Sequence, residues 1–255
     1  MRKLGGIVTK KNKKLRKNFK KKIILIVLIL LFCLIIFGCF YTIYTKTVDV
    51  KEENINEKSE EQTDEIIGEL VDLNKKNEDV IGWIKIDNSK INYPVLYSDD
   101  DYYLRRDYNK DYKREGSIYI DKYNSLTDIN LIIHGHNLDT GTMFTDLLKY
   151  KEESYYKKHK TIDFYTISDG HMKYEVIAVF LSKVYEKDDD VFKYYKYYGD
   201  LTEKEYDEYI KNIKDLSLYD IDVDTQYPTD LITLSTCEFS TDNGRMVVVA
   251  KKVES

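Results

Sequence analysis

Cys237 closes the run Thr233-Leu234-Ser235-Thr236-Cys237, and Arg245 opens the apolar stretch that follows a short turn. Upstream, Ile129 to Ile133 leads into His134-Gly135-His136-Asn137. A thiol, an imidazole and a guanidinium at strand ends are the parts of a cysteine acyl-transfer site. A thiol attacks as its thiolate, and a free pKa of about 8.5 leaves little of it ionised at neutral pH. A neighbouring imidazole raises that fraction and later protonates the departing amine. An arginine, always cationic, can hold the oxyanion of a tetrahedral intermediate or orient the substrate carbonyl.

The chain has four histidines. His159, in a Lys-rich stretch, and His171, in a turn, read as solvated surface residues. His134 and His136 point the same way if their strand continues, which admits a metal with Cys237 as third ligand. Zinc needs three protein ligands at a catalytic site and four at a structural one. No convincing further ligand appears, so neither a metal nor another cofactor is expected. Alternatively, Gly135 acts as a hinge that turns only His136 toward the cysteine. Asp139 is close to His136 in sequence, but adjacency does not make it an orienting partner.

These residues need a scaffold. From Gly82 onward, β-branched and aromatic runs separated by Asp, Asn, Gly and Ser clusters predict eight strands. They lie near residues 82–87, 91–97, 117–121, 129–135, 161–167, 173–185, 230–236 and 245–252. The last two form an antiparallel hairpin with Cys237 and Arg245 at its mouth. Ile66, Ile67, Leu70, Val71 and Leu73 fall at helical spacing, predicting an amphipathic helix over about 63–77. Residues 186–229 are too long for a plain loop. Within them Thr202 and Glu205 form a capping-box pattern, followed by Tyr206, Tyr209, Ile210 and Ile213 at helical spacing. This insertion either walls the site or covers the barrel. The 24 tyrosines either line a peptide groove or sit as half-buried amphipathic side chains. The fold class is mainly β with peripheral helices.

Four segments precede or make up this unit. Residues 1–22 carry 11 basic and no acidic side chains, and Ile23 to Tyr44 runs without a charge. At about 1.5 Å per residue the apolar run covers about 33 Å, enough for one crossing of a hydrocarbon core about 30 Å thick. Basic residues favour the cytoplasmic side, so a single-pass signal-anchor with its N-terminus inside is expected. The run is long for a cleaved signal peptide, and Phe37 suits a lipoprotein cleavage box at Cys39 poorly. Residues 45–62 read as a polar stalk and 63–255 as an extracellular domain. Beyond residue 22 the chain holds 29 basic against 45 acidic residues, the wrong sign for a nucleic-acid partner. Cys237 is the one cysteine beyond the apolar segment, so it has no disulfide partner there.

Together these motifs resemble the sortase family, and within it class B. The resemblance rests on Thr233 to Cys237, Arg245-Met246-Val247-Val248-Val249, Gly135-His136-Asn137 with Gly141-Thr142-Met143-Phe144, Asp79 to Ile84, Ile91-Asn92-Tyr93-Pro94-Val95, and Tyr103-Leu104. It implies an eight-stranded β-barrel transpeptidase of a Gram-positive cell surface. It further implies that Cys237 attacks a Thr-Gly or Thr-Asn type bond in a C-terminal sorting signal and that His136 protonates the departing amine. Arg245 matches the family's essential arginine. The thioacyl enzyme would pass the secreted protein to a peptidoglycan amine, or to a pilin lysine in a pilin-polymerising variant. A cysteine hydrolase and a non-catalytic surface peptide-binding module are the other readings. Leu104, Ser235 and Glu238 resemble residues of the class B substrate groove, and the 186–229 insertion resembles the class B extension between the sixth and seventh strands. Two positions depart: His134, where the family often has Tyr, and Asp100, where it often has Asn.

Overall fold

The computed structural model describes residues 33–34, 36–47 and 60–254. Residues 36–47 are helical. The expected span over 23–44 falls largely outside the described residues, among which no helix is long and apolar enough to cross a membrane. One compact unit begins at Thr63. Thr63 lies in the first turn of a helix, α1, over residues 60–76, close to the predicted 63–77.

All eight predicted strands form: β1 Val80–Lys85, β2 Asn92–Leu96, β3 Ile118–Ile120, β4 Asn130–His134, β5 Thr161–Thr166, β6 Gly170–Lys183, β7 Leu231–Cys237 and β8 Gly244–Lys252. They close into a barrel in the order β1-β2-β3-β4-β7-β8-β6-β5. The β2/β3 and β4/β7 pairs are parallel and the remaining pairs antiparallel.

Side chains alternate across a strand, and here alternation divides a barrel interior from an outer layer. Ile118, Ile120, Leu131, Ile133, Ile232, Leu234, Met246 and Val248 fill the interior. Opposite parity faces outward. α1 covers part of that outer wall, packing Ile66, Leu70 and Leu73 against Trp83, Leu96, Tyr119 and Tyr165. The connection between β6 and β7 covers another part through α3, Glu203–Leu216. Thr202 and Glu205 make the predicted capping box. Tyr206, Tyr209 and Ile213 pack against Ile177, Phe180, Val247 and Val249. The helix therefore covers the barrel wall, the second of the two roles expected for this insertion. With both faces occupied, β7 is buried along nearly its whole length, as its apolar run requires.

Several tyrosines serve this outer layer. Tyr194 and Tyr209 are buried and direct their hydroxyls to Ser235 Oγ (2.8 Å) and Thr233 Oγ1 (2.7 Å), so the polar outward residues of β7 are satisfied rather than orphaned. His159 is not the solvated residue its surroundings suggest. The turn after the short helix α2, Glu153–Tyr156, folds it back over Tyr155, with ring centroids 3.8 Å apart and Nδ1 donating to the Tyr155 carbonyl at 2.8 Å. His171 is exposed as expected, yet its Nε2 pairs with Asp163 at 2.7 Å.

Candidate active site

Register builds the site. Tyr119 opposes His134 across β3 and β4, His134 opposes Ser235 across β4 and β7, and Cys237 opposes Arg245 across β7 and β8. Each of these has the outward parity of its strand, so the core pattern itself sends Tyr119, His134, Ser235, Cys237 and Arg245 to one outer face across four strands. They border a recess of about 70 Å³ lined by Leu104, Tyr119, His134, Gly135, His136, Ser235, Thr236, Cys237 and Arg245. A larger cavity of about 450 Å³, lined by Tyr93, Tyr108, Ile118 and Met143 among others, holds none of the three reactive groups.

The structure brings Cys237, His136 and Arg245 together. Both histidines border the recess, so Gly135 does not turn His134 away. Its role is steric: a Cβ there would lie 2.4 Å from Ile118 Cδ1 and 2.7 Å from Phe144 Cγ. Three bonds lock the strand ends. Gly135 N donates to Ser235 O at 3.2 Å, Thr236 Oγ1 to Gly135 O at 2.8 Å, and Asn137 Nδ2 to Cys237 O at 3.0 Å. Asn137, quoted only as part of a motif, and Tyr119 are residues of this region to which sequence reading gave no role. Tyr119 was findable, because Ile118 and Ile120 flank it and alternation sends it outward.

His136 Nε2 lies 2.8 Å from the Leu104 carbonyl. A carbonyl only accepts, so Nε2 carries the proton and Nδ1 remains the acceptor. Burial, followed by the charges of Arg105 and Arg245, holds this imidazole below its ordinary 6.5 despite the Leu104 bond. At neutral pH it is an uncharged base, ready to take a proton. Among the described residues no carboxylate is bonded to it, and Asp139 is exposed. Leu104 sits in the short 3-10 turn Tyr102–Arg105 between β2 and β3, which thus supplies both a recess wall and the orienting acceptor. Arg245 borders the recess while its Nη1 donates to Gly244 O at 2.9 Å and Asn243 O at 3.2 Å.

The remaining predicted groove residues divide. Ser235 lines the recess with Oγ bonded to Tyr194. Asp100 is exposed and outside the recess lining. Its Oδ1 accepts from Tyr102 N at 2.8 Å, starting the turn that carries Leu104. Glu238 is 6% exposed and does not line the recess. Lys151 Nζ donates to its Oε1 at 2.6 Å and Ser240 N to its Oε2 at 3.0 Å. Those bonds from Lys151 and Ser240 pull its carboxyl down to about 2. Among the described residues no cluster of His, Cys, Asp and Glu has the arrangement to hold a metal ion.

A closed eight-stranded barrel with a thiol, an imidazole and a guanidinium at the ends of β4, β7 and β8 has the parts of a cysteine acyl transferase. The sortase domain family matches residues 84–253. A sortase B of Listeria monocytogenes is 36% identical over 216 residues, 83% of this chain and 81% of its own length. A sortase B of Staphylococcus aureus is 31% identical over 235 residues, 87% and 92% of the two chains. Among solved structures, a Staphylococcus aureus sortase B-substrate complex matches with a TM-score of 0.65 at 30% identity, covering 80% of this chain and 97% of that one. Clostridium perfringens sortase B matches with 0.65 at 29%, covering 72% and 98%. The chain belongs to the sortase family of cysteine transpeptidases, in its class B.

Proposed function

We propose that this chain is anchored by Ile23 to Tyr44 with its barrel outside the cell, and attaches secreted proteins to a cell-wall peptidoglycan amine. Cys237 is the nucleophile. Its thiol loses its proton to a base and its sulfur attacks the carbonyl of a Thr-Gly or Thr-Asn type bond in a sorting signal, Arg245 steadies the carbonyl oxygen, and His136, once protonated, hands a proton to the departing amine, with no net change in protons. The acceptor amine then adds to the thioester carbonyl and expels the sulfur. The observation that carries this reading is the convergence of the three side chains on one recess at the ends of β4, β7 and β8. Structures of relatives described as a sortase B-substrate complex and as sortase B complexed with triglycine support a peptide donor and an amine acceptor.

The test is mass spectrometry of the full chain incubated with peptides carrying Thr-Gly or Thr-Asn bonds. A thioester on Cys237 that triglycine converts to an amide product supports the reading. A parent chain that forms no thioester, or a Cys237→Ala variant that cleaves as fast as the parent, refutes it. Protease treatment of intact cells tests the topology, since an extracellular barrel is accessible without lysis.

A further inference from the structure

The recess holds a second imidazole. His134 faces outward because Leu131 and Ile133 fill the barrel interior, and it stands in register with Ser235, two residues before Cys237 on the same face of β7. His134 and Cys237 line the same recess. His134 Nε2 bonds to Asp121 Oδ2 at 2.8 Å, with the two side chains 22% and 18% exposed. Asp121 is fixed in turn, its Oδ1 accepting from Tyr123 N at 2.9 Å and its own N donating to Ile132 O at 2.8 Å.

The two imidazoles are therefore oriented differently. His136 is held by a neutral carbonyl with Arg105 and Arg245 nearby, surroundings that disfavour its cationic form. His134 is held by a carboxylate, that of Asp121. Burial alone would raise the Asp121 carboxyl, yet its bond and charge interaction with His134 hold it low, so an anion backs this ring at neutral pH. Because a carboxylate accepts, Nε2–H donates to Asp121 and Nδ1 remains available for a proton.

We infer that His134, positioned by Asp121, is a second proton-handling residue of this site: it takes the Cys237 thiol proton and keeps the sulfur reactive. This deepens the transpeptidase reading and rests on Cys237 being its nucleophile. In the first step the Sγ–H bond breaks and an Nδ1–H bond forms, leaving a thiolate beside an imidazolium paired with Asp121. In the second, sulfur bonds to the peptide carbonyl carbon, the C–N bond breaks, His136, protonated from solvent, gives that proton to the leaving nitrogen, and His134 returns its own to solvent. The donor amide and thiol become a thioester and an amine, with no net change in protons. The titratable and polar groups that line the recess with His134 include Tyr119 from β3, Ser235 and Cys237 from β7, Arg245 from β8 and His136 beyond Gly135, and Asp121, after β3, is bonded to it. Tyr194 lies behind Ser235, and Asp101, tied to Lys122 at 2.7 Å, acts on Tyr119.

Iodoacetamide alkylation of the full chain tests this without any peptide substrate, followed at Cys237 by peptide mass spectrometry. His134→Gln and Asp121→Asn should each slow alkylation of Cys237 at neutral pH by about 5- to 10-fold. The rates should converge with the parent well above the ordinary thiol pKa of about 8.5, where the sulfur ionises unaided. Added imidazole should restore the neutral-pH rate of His134→Ala. Parent-like alkylation of His134→Gln overturns the inference. So does slowing that persists undiminished at high pH, which marks lost access or misfolding. A chain that forms no thioester but shows these alkylation changes overturns the transpeptidase reading instead.

Discussion

Glu238→Gln separates two roles for the residue that follows the nucleophile. In the structure its carboxylate ties the turn between Cys237 and Arg245 to Lys151, the last residue of the 3-10 helix Phe144–Lys151. The same turn is closed by Glu238 N donating to Gly244 O at 3.0 Å. A glycine is required at 244, because a Cβ would sit 2.3 Å from the Glu238 carbonyl. The carboxyl falls from 4.5 to about 2, chiefly through the Lys151 bond, then Ser240, against the opposing effect of burial. Converted in full, that shift is about 3 kcal/mol. The Lys151 side chain is 36% exposed, so solvent screening reduces it, and about 1–2 kcal/mol is the expected contribution.

The sign follows from linkage. A depressed folded-state pKa stabilises above the unfolded value of 4.5 and loses that contribution as pH falls toward about 2. Urea unfolding should therefore find Glu238→Gln about 1–2 kcal/mol less stable than the parent at pH 7, with the gap narrowing below 4.5. A loosened turn should also lower kcat, by about 10-fold if the sulfur and guanidinium shift by a fraction of an ångström, with less change in KM. Lys151→Gln should reproduce both effects and add little to the first variant, because the two share one interaction. Unchanged stability at pH 7 with only a raised peptide KM would refute the tether and return Glu238 to the substrate groove.

Two further outcomes follow from the site. Gly135→Ala forces its methyl group against Ile118 and Phe144, both essentially buried. Thermal unfolding should show a loss of about 1–3 kcal/mol, and a displacement of His136 by about 1 Å should cost about 100-fold in turnover; a variant with parental kcat counts against the packing argument. By NMR, the His136 ring should titrate below 6.5, and Arg105→Gln should move its midpoint upward by removing one of the cations that depress it. A parental midpoint at or above 6.5 contradicts the assigned environment.

What the sequence discloses and what it hides divide along physical lines. The strands were legible because burial on one or both faces demands β-branched and apolar residues at period two, and α3 because Thr202 and Glu205 cap it chemically. Cys237, His136 and Arg245 stood out as candidates because their residue types are uncommon at strand ends, and the fold brings them to one recess. The Leu104 carbonyl was not, since a backbone acceptor leaves no mark on residue identity. Nor was the bond from Lys151 to Glu238, whose partners lie 87 residues apart. Asp100 and Glu238 read as groove residues by position, while their carboxylates are held by backbone and lysine donors that only the folded chain brings near. His159 shows the same limit: a Lys-rich neighbourhood suggests solvent, but the turn returns its ring to Tyr155.

The site's geometry is inseparable from its core. Interior positions on β4, β7 and β8 are Leu131 and Ile133, Ile232 and Leu234, and Met246 and Val248. Each set fixes the parity that sends His134, Ser235, Cys237 and Arg245 outward together. A slip of one residue in the β4/β7 pairing would reverse that parity and bury polar groups in the barrel, so catalysis and stability select the same register. The outer covering then decides which outward groups can react. Thr233 and Ser235 meet tyrosine hydroxyls beneath the insertion, whereas Cys237, beyond that cover, is only partly buried. Reactive chemistry on this barrel thus begins where the insertion's tyrosines end, and changes to Tyr194 should be felt at Cys237 through Ser235 even though Tyr194 does not border the recess.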